Sequence, residues 1–295
     1  MIRAKRPRRF FSPALAVAGR GESTLAEKAW TQSRRASRPW VIAGILVGII
    51  ATVLLFAPAA WLAQQVATAT HGRVVLADAR GTVWSGSAVA VLTGGPGSRD
   101  ASSLPGRIRW SVVPRGLGFE LRATHACCLK GTVALLLKPG FGRFTAMLLP
   151  VAGWIGQWPS GFLSGLGTPW NTLQLGGSIR LVSPGITVES VQGRVIVDGR
   201  ADIELVDVSS RLTTLDPLGS YRLTVSGTAA NAGVSQLDLS TQEGALKLQG
   251  SGSFGPGGLR FRGEASAGPA DEPALSNLLN IIGRRKGARS VISIG

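Results

Sequence analysis

Side chains that carry chemistry are scarce in this sequence. Its 295 residues include two histidines, one tyrosine, two cysteines and 16 carboxylates. No G-x-S-x-G occurs, which removes the nucleophile elbow of the serine hydrolases. No glycine is followed by lysine, which removes a phosphate-binding P-loop. Neither His71 nor His125 has a carboxylate at motif spacing, so each reads as a lone surface histidine. A metal centre would need more ligands than this set supplies. GSGSFG (Gly250 to Gly255) matches G-x-G-x-x-G, but it leads into Pro-Gly-Gly rather than a helix and reads as a glycine-rich β-turn. An enzyme needs a convergent polar pocket, and this stock of residues speaks against one. No catalytic, cofactor-binding or metal-binding residue is assigned, and no cofactor is expected.

Glycine is abundant, with 40 residues, while charged side chains make up only 16%. Many glycines and aliphatics with few charges suit a turn-rich β protein rather than a helical bundle. The formal net charge of +16 is unevenly placed. Residues 1–39 carry ten basic and two acidic side chains, so half of the net charge sits in the first eighth of the chain. Arg-rich arms can contact phosphates. The apolar segment after the arm gives it a different use, and no nucleic-acid partner is expected.

After Arg38 comes PWVIAGILVGIIATVLLFAPAAWLA. No charge appears between Arg38 and Arg73, and Val41 to Ala63 is strongly apolar throughout. At about 1.5 Å per residue such a run can span a hydrocarbon core of about 30 Å. Trp40 and Trp61 bracket it as interfacial indoles do. The basic flank holds the amino terminus in the cytoplasm and exports the rest. A cleaved signal peptide would need an unusually long leading region and a shorter apolar run. The expected organisation is a basic cytoplasmic arm (1–39), a transmembrane anchor (40–63) and an exported β-rich domain (64–295), with a possible subdivision near 150–170.

Beyond His71 the pattern turns to short alternating segments. In RIRWSVVP, Ile108, Trp110 and Val112 face one way and Arg107, Arg109 and Ser111 the other. GFELRAT, SYRLTVSGT, ALKLQGSGSF and GLRFRGEASAG repeat the arrangement. A period of two with one polar face predicts an antiparallel sheet of ten or more strands, wetted on one side. Gly255 to Gly258 supplies a turn between neighbouring strands. Pro150 to Trp170 has helix-like spacing broken by Gly and Pro and reads as a short helix or loop. DEPALSNLLNIIGRRK predicts an amphipathic helix: Asp271 caps it, Pro273 starts it, Leu275, Leu278, Leu279 and Ile282 form the stripe, and Gly283 ends it. SVISI then reads as a last strand.

Cys127 and Cys128 are adjacent. In an oxidising compartment two thiols seldom stay free. Three arrangements remain open: a vicinal disulfide, two free thiols, or a bond to a partner chain. The C-x-x-C spacing of thiol oxidoreductases is absent, so a structural clip between strands is expected rather than redox catalysis.

RGTVWSGSA (Arg80 to Ala88) places an indole between two glycines. Taken physically, Gly81 and Gly86 let a strand turn and Trp84 packs at the bend. Together with its neighbours the segment resembles the type II secretion system protein N family over roughly residues 40–295. The family element G-T-x-W-x-G-x-A falls on Gly81, Thr82, Trp84, Gly86 and Ala88, and a W-x-x-x-P strand on Trp110 and Pro114. A strand–turn–strand–helix ending falls on Leu246 to Gly283. The resemblance implies a non-enzymatic, single-pass accessory component of the inner membrane. Its mainly β, curved antiparallel domain would project into the periplasm with a few short helices. Implied partners are the inner-membrane platform and possibly the secretin of the same machine. A weaker likeness is to AsmA-type envelope proteins, which would imply an apolar β-groove handling lipid.

Overall fold

A computed structural model of the chain describes residues 40–192, 194–228, 230 and 233–295. The basic arm expected over 1–39 lies outside the described residues. The chain divides into two compact units, Met1–Leu55 and Phe56–Gly295.

In the first unit, α1 (residues 40–55) is helical throughout, and every side chain on it is exposed. Ile42, Val47 and Leu55 are 58%, 65% and 64% exposed, so the helix is apolar all round rather than along one stripe. Thr52, its one hydroxyl, donates to the Gly48 carbonyl at 2.8 Å and so keeps its polar atom within the helix. The described turns extend about 24 Å. No helix among the described residues is long and apolar enough to cross a membrane.

The apolar run expected to continue to Ala63 is divided. Pro58 has extended backbone and pairs with Thr82, and a separate helix, α2 (Ala59–Ala69), begins beyond it. A proline ring fixes φ and removes a donor, so a helix commonly stops before it and a new one starts after it.

The second unit is one antiparallel sheet. In chain order its strands are β1 (Val74–Gly81), β2 (Ser85–Thr93), β3 (Ala101–Ser103), β4 (Ile108–Arg115), β5 (Gly118–His125), β6 (Thr132–Gly140), β7 (Arg143–Leu148) and β8 (Trp154–Pro159). They continue as β9 (Gly176–Val191), β10 (Arg194–Ser209), β11 (Gly219–Gly227), β12 (Ser235–Gly244), β13 (Leu246–Gly255), β14 (Gly258–Ala267), β15 (Arg284–Lys286) and β16 (Arg289–Ile294). The spatial order is β1-β2-β4-β5-β6-β7-β9-β10-β11-β12-β13-β14-β16-β15, with β3 on β2 and β8 on β9. Successive strands are thus mostly neighbours, as short turns between antiparallel strands require. Bulges between Ala77 and Arg80 and between Leu205 and Val208 interrupt the ladder and bend it locally.

Pro150 to Trp170 holds the expected short helix as a 3-10 segment (Ser160–Leu166) with loop on either side of its elements, but also a strand: Trp154–Pro159 pairs with β9 as β8. One short turn of helix, α3 (Trp170–Leu173), follows. Free backbone groups beside an available strand favour pairing over an isolated, glycine-broken helix.

The expected carboxy-terminal helix is present as α4 (Glu272–Ile282), with Leu275, Leu278 and Leu279 buried. Asp271 stands at its start without a side-chain capping bond. Gly283 follows it in extended backbone, and the close approach of the Val291 carbonyl, 2.5 Å from where a Cβ would sit, leaves no room for a side chain there. SVISI lies within β16 as expected.

Two of the three buried clusters set a helix against the sheet, and the third gathers Ala90, Leu104 and Cys128. α4 sets its leucines against Val208, Leu218, Tyr221, Leu246 and Ala265. α2 sets Ala59 and Leu62 against Ala88, Trp110, Leu76 and Val112. The second cluster contains Ala88 of the G-T-x-W-x-G-x-A segment together with Trp110. Gly81 has φ +90°, and a side chain on it would lie 2.5 Å from the Ser85 carbonyl, so glycine closes this hairpin. Thr82 and Ser85 exchange backbone and side-chain bonds across the turn. Gly86 serves closeness rather than bending: a Cβ there would meet the Trp110 ring at 2.5 Å. The Trp110 indole N–H donates to the Val83 carbonyl at 3.1 Å, and Ala88 is fully buried beside it.

Trp84, expected to pack at the bend, is only partly buried; its ring lies 5.6 Å from that of Phe119. The anchor is Trp110, 7% exposed. Pro114 is exposed and pairs with Phe119 near the end of the β4–β5 hairpin. Trp110→Ala should therefore cost about 3–5 kcal/mol, and Trp84→Ala clearly less. Denaturant melts of the detergent-solubilised chain measure both, and an equal loss would refute the assignment.

Candidate functional site

The apolar face of the carboxy-terminal strands and α4 enclose a cavity of about 560 Å³. Alternation puts Leu205, Leu223, Leu239, Leu248 and Phe261 on one side of the sheet, and Leu278 and Ile282 close over them. Two hydroxyls reach the wall, and both are already engaged. Tyr221 donates to the Leu246 carbonyl at 3.1 Å and Ser210 to the Leu173 carbonyl at 2.6 Å. Burial also pushes the Tyr221 phenol well above its usual range, so it stays neutral. The cavity can take an apolar group and offers it no hydrogen-bonding partner.

The GSGSFG glycines belong to β13 beside this cavity. A side chain on Gly250 or Gly252 would lie 2.6 Å or 2.9 Å from the Phe261 ring. They make room for an aromatic ring, and no helix follows them; β14 does, after a turn whose ends are Gly255 and Gly258.

Several carboxylates are spent on arginines. Glu204 meets Arg222 at 2.8 Å, Asp202 meets Arg200 at 3.0 Å, and Glu272 meets Arg285 at 2.7 Å. Glu120 is the most enclosed, 5% exposed, beneath Arg122 at 2.7 Å and Arg115. The guanidinium of Arg122, then that of Arg115, holds its carboxyl below the usual glutamate range. Arg107 and Arg80 do the same for Asp78 on the bulge of β1. A carboxylate flanked by two guanidiniums accepts hydrogen bonds and is poorly suited to removing a proton.

The turn after β5 holds the cysteines. Cys128 is buried, Cys127 is exposed, and the two sulfurs are joined, with Cα atoms 3.7 Å apart. His125 lies buried beside them, not on the surface where the sequence pattern placed it. Burial lowers its pKa and keeps the ring neutral. HACC was readable as a spacing, but the turn that folds the imidazole onto the sulfurs was not. The cavity lining also went unseen: alternation marks which residues share a face, but not that α4 returns over that face.

A family model described as type II secretion system (T2SS), protein N matches residues 72–293. No curated protein and no solved structure matches the chain.

The depressed carboxyl of Glu120 fixes a pH dependence. Its stabilisation is complete above the ordinary glutamate value and is lost as pH falls below it. Melting temperature should drop through the carboxylate range, and Glu120→Gln should flatten part of that drop. An unaltered pH profile in the variant would sink this account.

Proposed function

We propose, from the premise that the chain belongs to the type II secretion system protein N family, that it is a non-enzymatic accessory component of the inner membrane. In this role it supports export of folded proteins across the outer membrane. Family membership makes it a type II secretion component acting with others of that machine. The finer role rests on the character of the two units. One is an apolar helix with every described side chain exposed, which water would disfavour and lipid would suit. Residues 41–57 carry no charge, and about 17 apolar residues is the low end of a transmembrane span. The ten basic residues before it keep that end in the cytoplasm and place the sheet in the periplasm as a single-pass protein. The other unit is a sheet in which Glu120, Asp202 and Glu204 are paired with arginines, a scaffold suited to binding. The inner-membrane platform and the secretin are the partners proposed. The disulfide of Cys127 and Cys128 serves there as a clip in the turn after β5.

Deleting the gene should trap exported proteins in the periplasm while the envelope stays intact. The chain itself should resist alkaline extraction from membranes. Normal export in the deletion strain, or release of the chain by carbonate, would defeat the respective part of this reading.

The apolar cavity favours a second reading, an AsmA-like groove that handles lipid. It predicts phospholipid in organic extracts of the purified chain at about one molecule per chain or more. Under the first reading the extracts contain only background lipid.

A further inference from the structure

The turn after β5 brings three metal-ligating side chains together. His125 ends β5, and Cys127 and Cys128 follow after one residue. The Leu129 N–H donates to the His125 carbonyl at 3.3 Å and folds the segment back on itself. β8 holds the fold from outside. Gln157 N–H donates to the Cys128 carbonyl at 2.9 Å and Lys130 N–H to the Ile155 carbonyl at 3.0 Å. One imidazole nitrogen and the two sulfurs consequently lie within 4.8 Å of one another.

His125 is the anomaly of this turn. It is 4% exposed, and neither of its ring nitrogens has a hydrogen-bond partner. Burying an imidazole with neither nitrogen paired is costly, and such a group calls for a partner outside the protein's own hydrogen bonds. The two sulfurs lie within 4.8 Å of one of its nitrogens, and a disulfide sulfur accepts only weakly.

We propose that Cys127, Cys128 and His125 form a binding site for one thiophilic cation when the cysteines are reduced, and that the disulfide is the metal-free state of the same site. Two thiolates and an imidazole are a soft donor set, suited to monovalent copper or to zinc. For zinc, one water would complete the set as a fourth ligand; monovalent copper is satisfied by fewer ligands.

The conversion balances with a dithiol as reductant. Its thiolate attacks the exposed Cys127 sulfur, the Cys127–Cys128 bond breaks, and the electron pair leaves on Cys128. The second thiol of the reductant then attacks the mixed disulfide, releasing Cys127 and leaving as a cyclic disulfide. Two electrons reach the cysteines with two protons, and the bound cation displaces both protons to solvent. The proposal rests on this turn alone, so it stands or falls independently of the secretion role.

The test uses the full chain in detergent. Reduced chain, freed of reductant under nitrogen, is titrated with zinc or with monovalent copper against a chromogenic chelator. One equivalent should bind to the reduced chain and none to the oxidised chain. Bound metal should slow alkylation of both cysteines, and X-ray absorption should show two sulfur neighbours and one nitrogen neighbour. Cys127→Ser changes the exposed sulfur and should abolish tight binding. His125→Gln should weaken it by more than the roughly 10- to 100-fold caused by losing a supporting partner. The preference between the two metals decides which ion the site takes. No uptake by the reduced chain, or uptake unchanged in both variants, would overturn the site and leave a purely structural disulfide.

Discussion

An antiparallel sheet with one apolar face has to cover that face, and the second unit is organised by this need. Backbone pairing joins sixteen strands into one ladder. Pairing satisfies the amides but does nothing for the leucines that alternation lines up on one side. Helices at both ends of the unit answer that need. α2 comes before the first strand and covers β1, β2 and β4; α4 comes before the last two strands and covers the carboxy-terminal ones. Small residues decide how closely the covers sit. Ala59 on α2 and Ala88 beneath it are both almost wholly buried, and Ala265 plays the same part under α4.

The opposite face shows what happens when a protein carries more arginines than carboxylates. Glu120 and Glu204 have each found two guanidiniums. These pairs lie across neighbouring strands or two residues apart along one strand, so they add register information to a ladder whose glycine-rich strands specify register weakly. Thr224, which donates to Asp202 at 2.6 Å from the adjacent strand, does the same without charge.

Much of this was legible in the sequence, for identifiable reasons. Period-two alternation marked β4, β5, β11, β13 and β14 because each has one wet face. The leucine stripe with Pro273 before it and Gly283 after it marked α4. The reading failed where the decisive contact was distant. Trp154–Pro159 became a strand because β9 lay open beside it. Trp84 and Trp110 look alike as indoles, and only the register between β2 and β4, which sets Gly86 opposite Trp110, shows which of them is enclosed. The apolar run beyond Arg38 looked uniform, yet Pro58 divides it, because the residues after it find more to bury against the sheet than against a continuing helix. His125 looked isolated because its neighbours come from a turn.

The contact between Gly86 and Trp110 has a consequence for how this chain can change over evolutionary time. A side chain at position 86 would collide with the Trp110 ring and also with the Arg80 and Thr82 carbonyls, at 2.7 Å and 2.9 Å. Trimming the indole relieves the first collision and leaves the other two, which are backbone. Lineages can therefore drift toward a smaller residue at 110, losing packing as they go, but no compensating growth at 86 is open to them. The hairpin acts as a one-way gate on substitution, and the glycine is the position from which no path leads out.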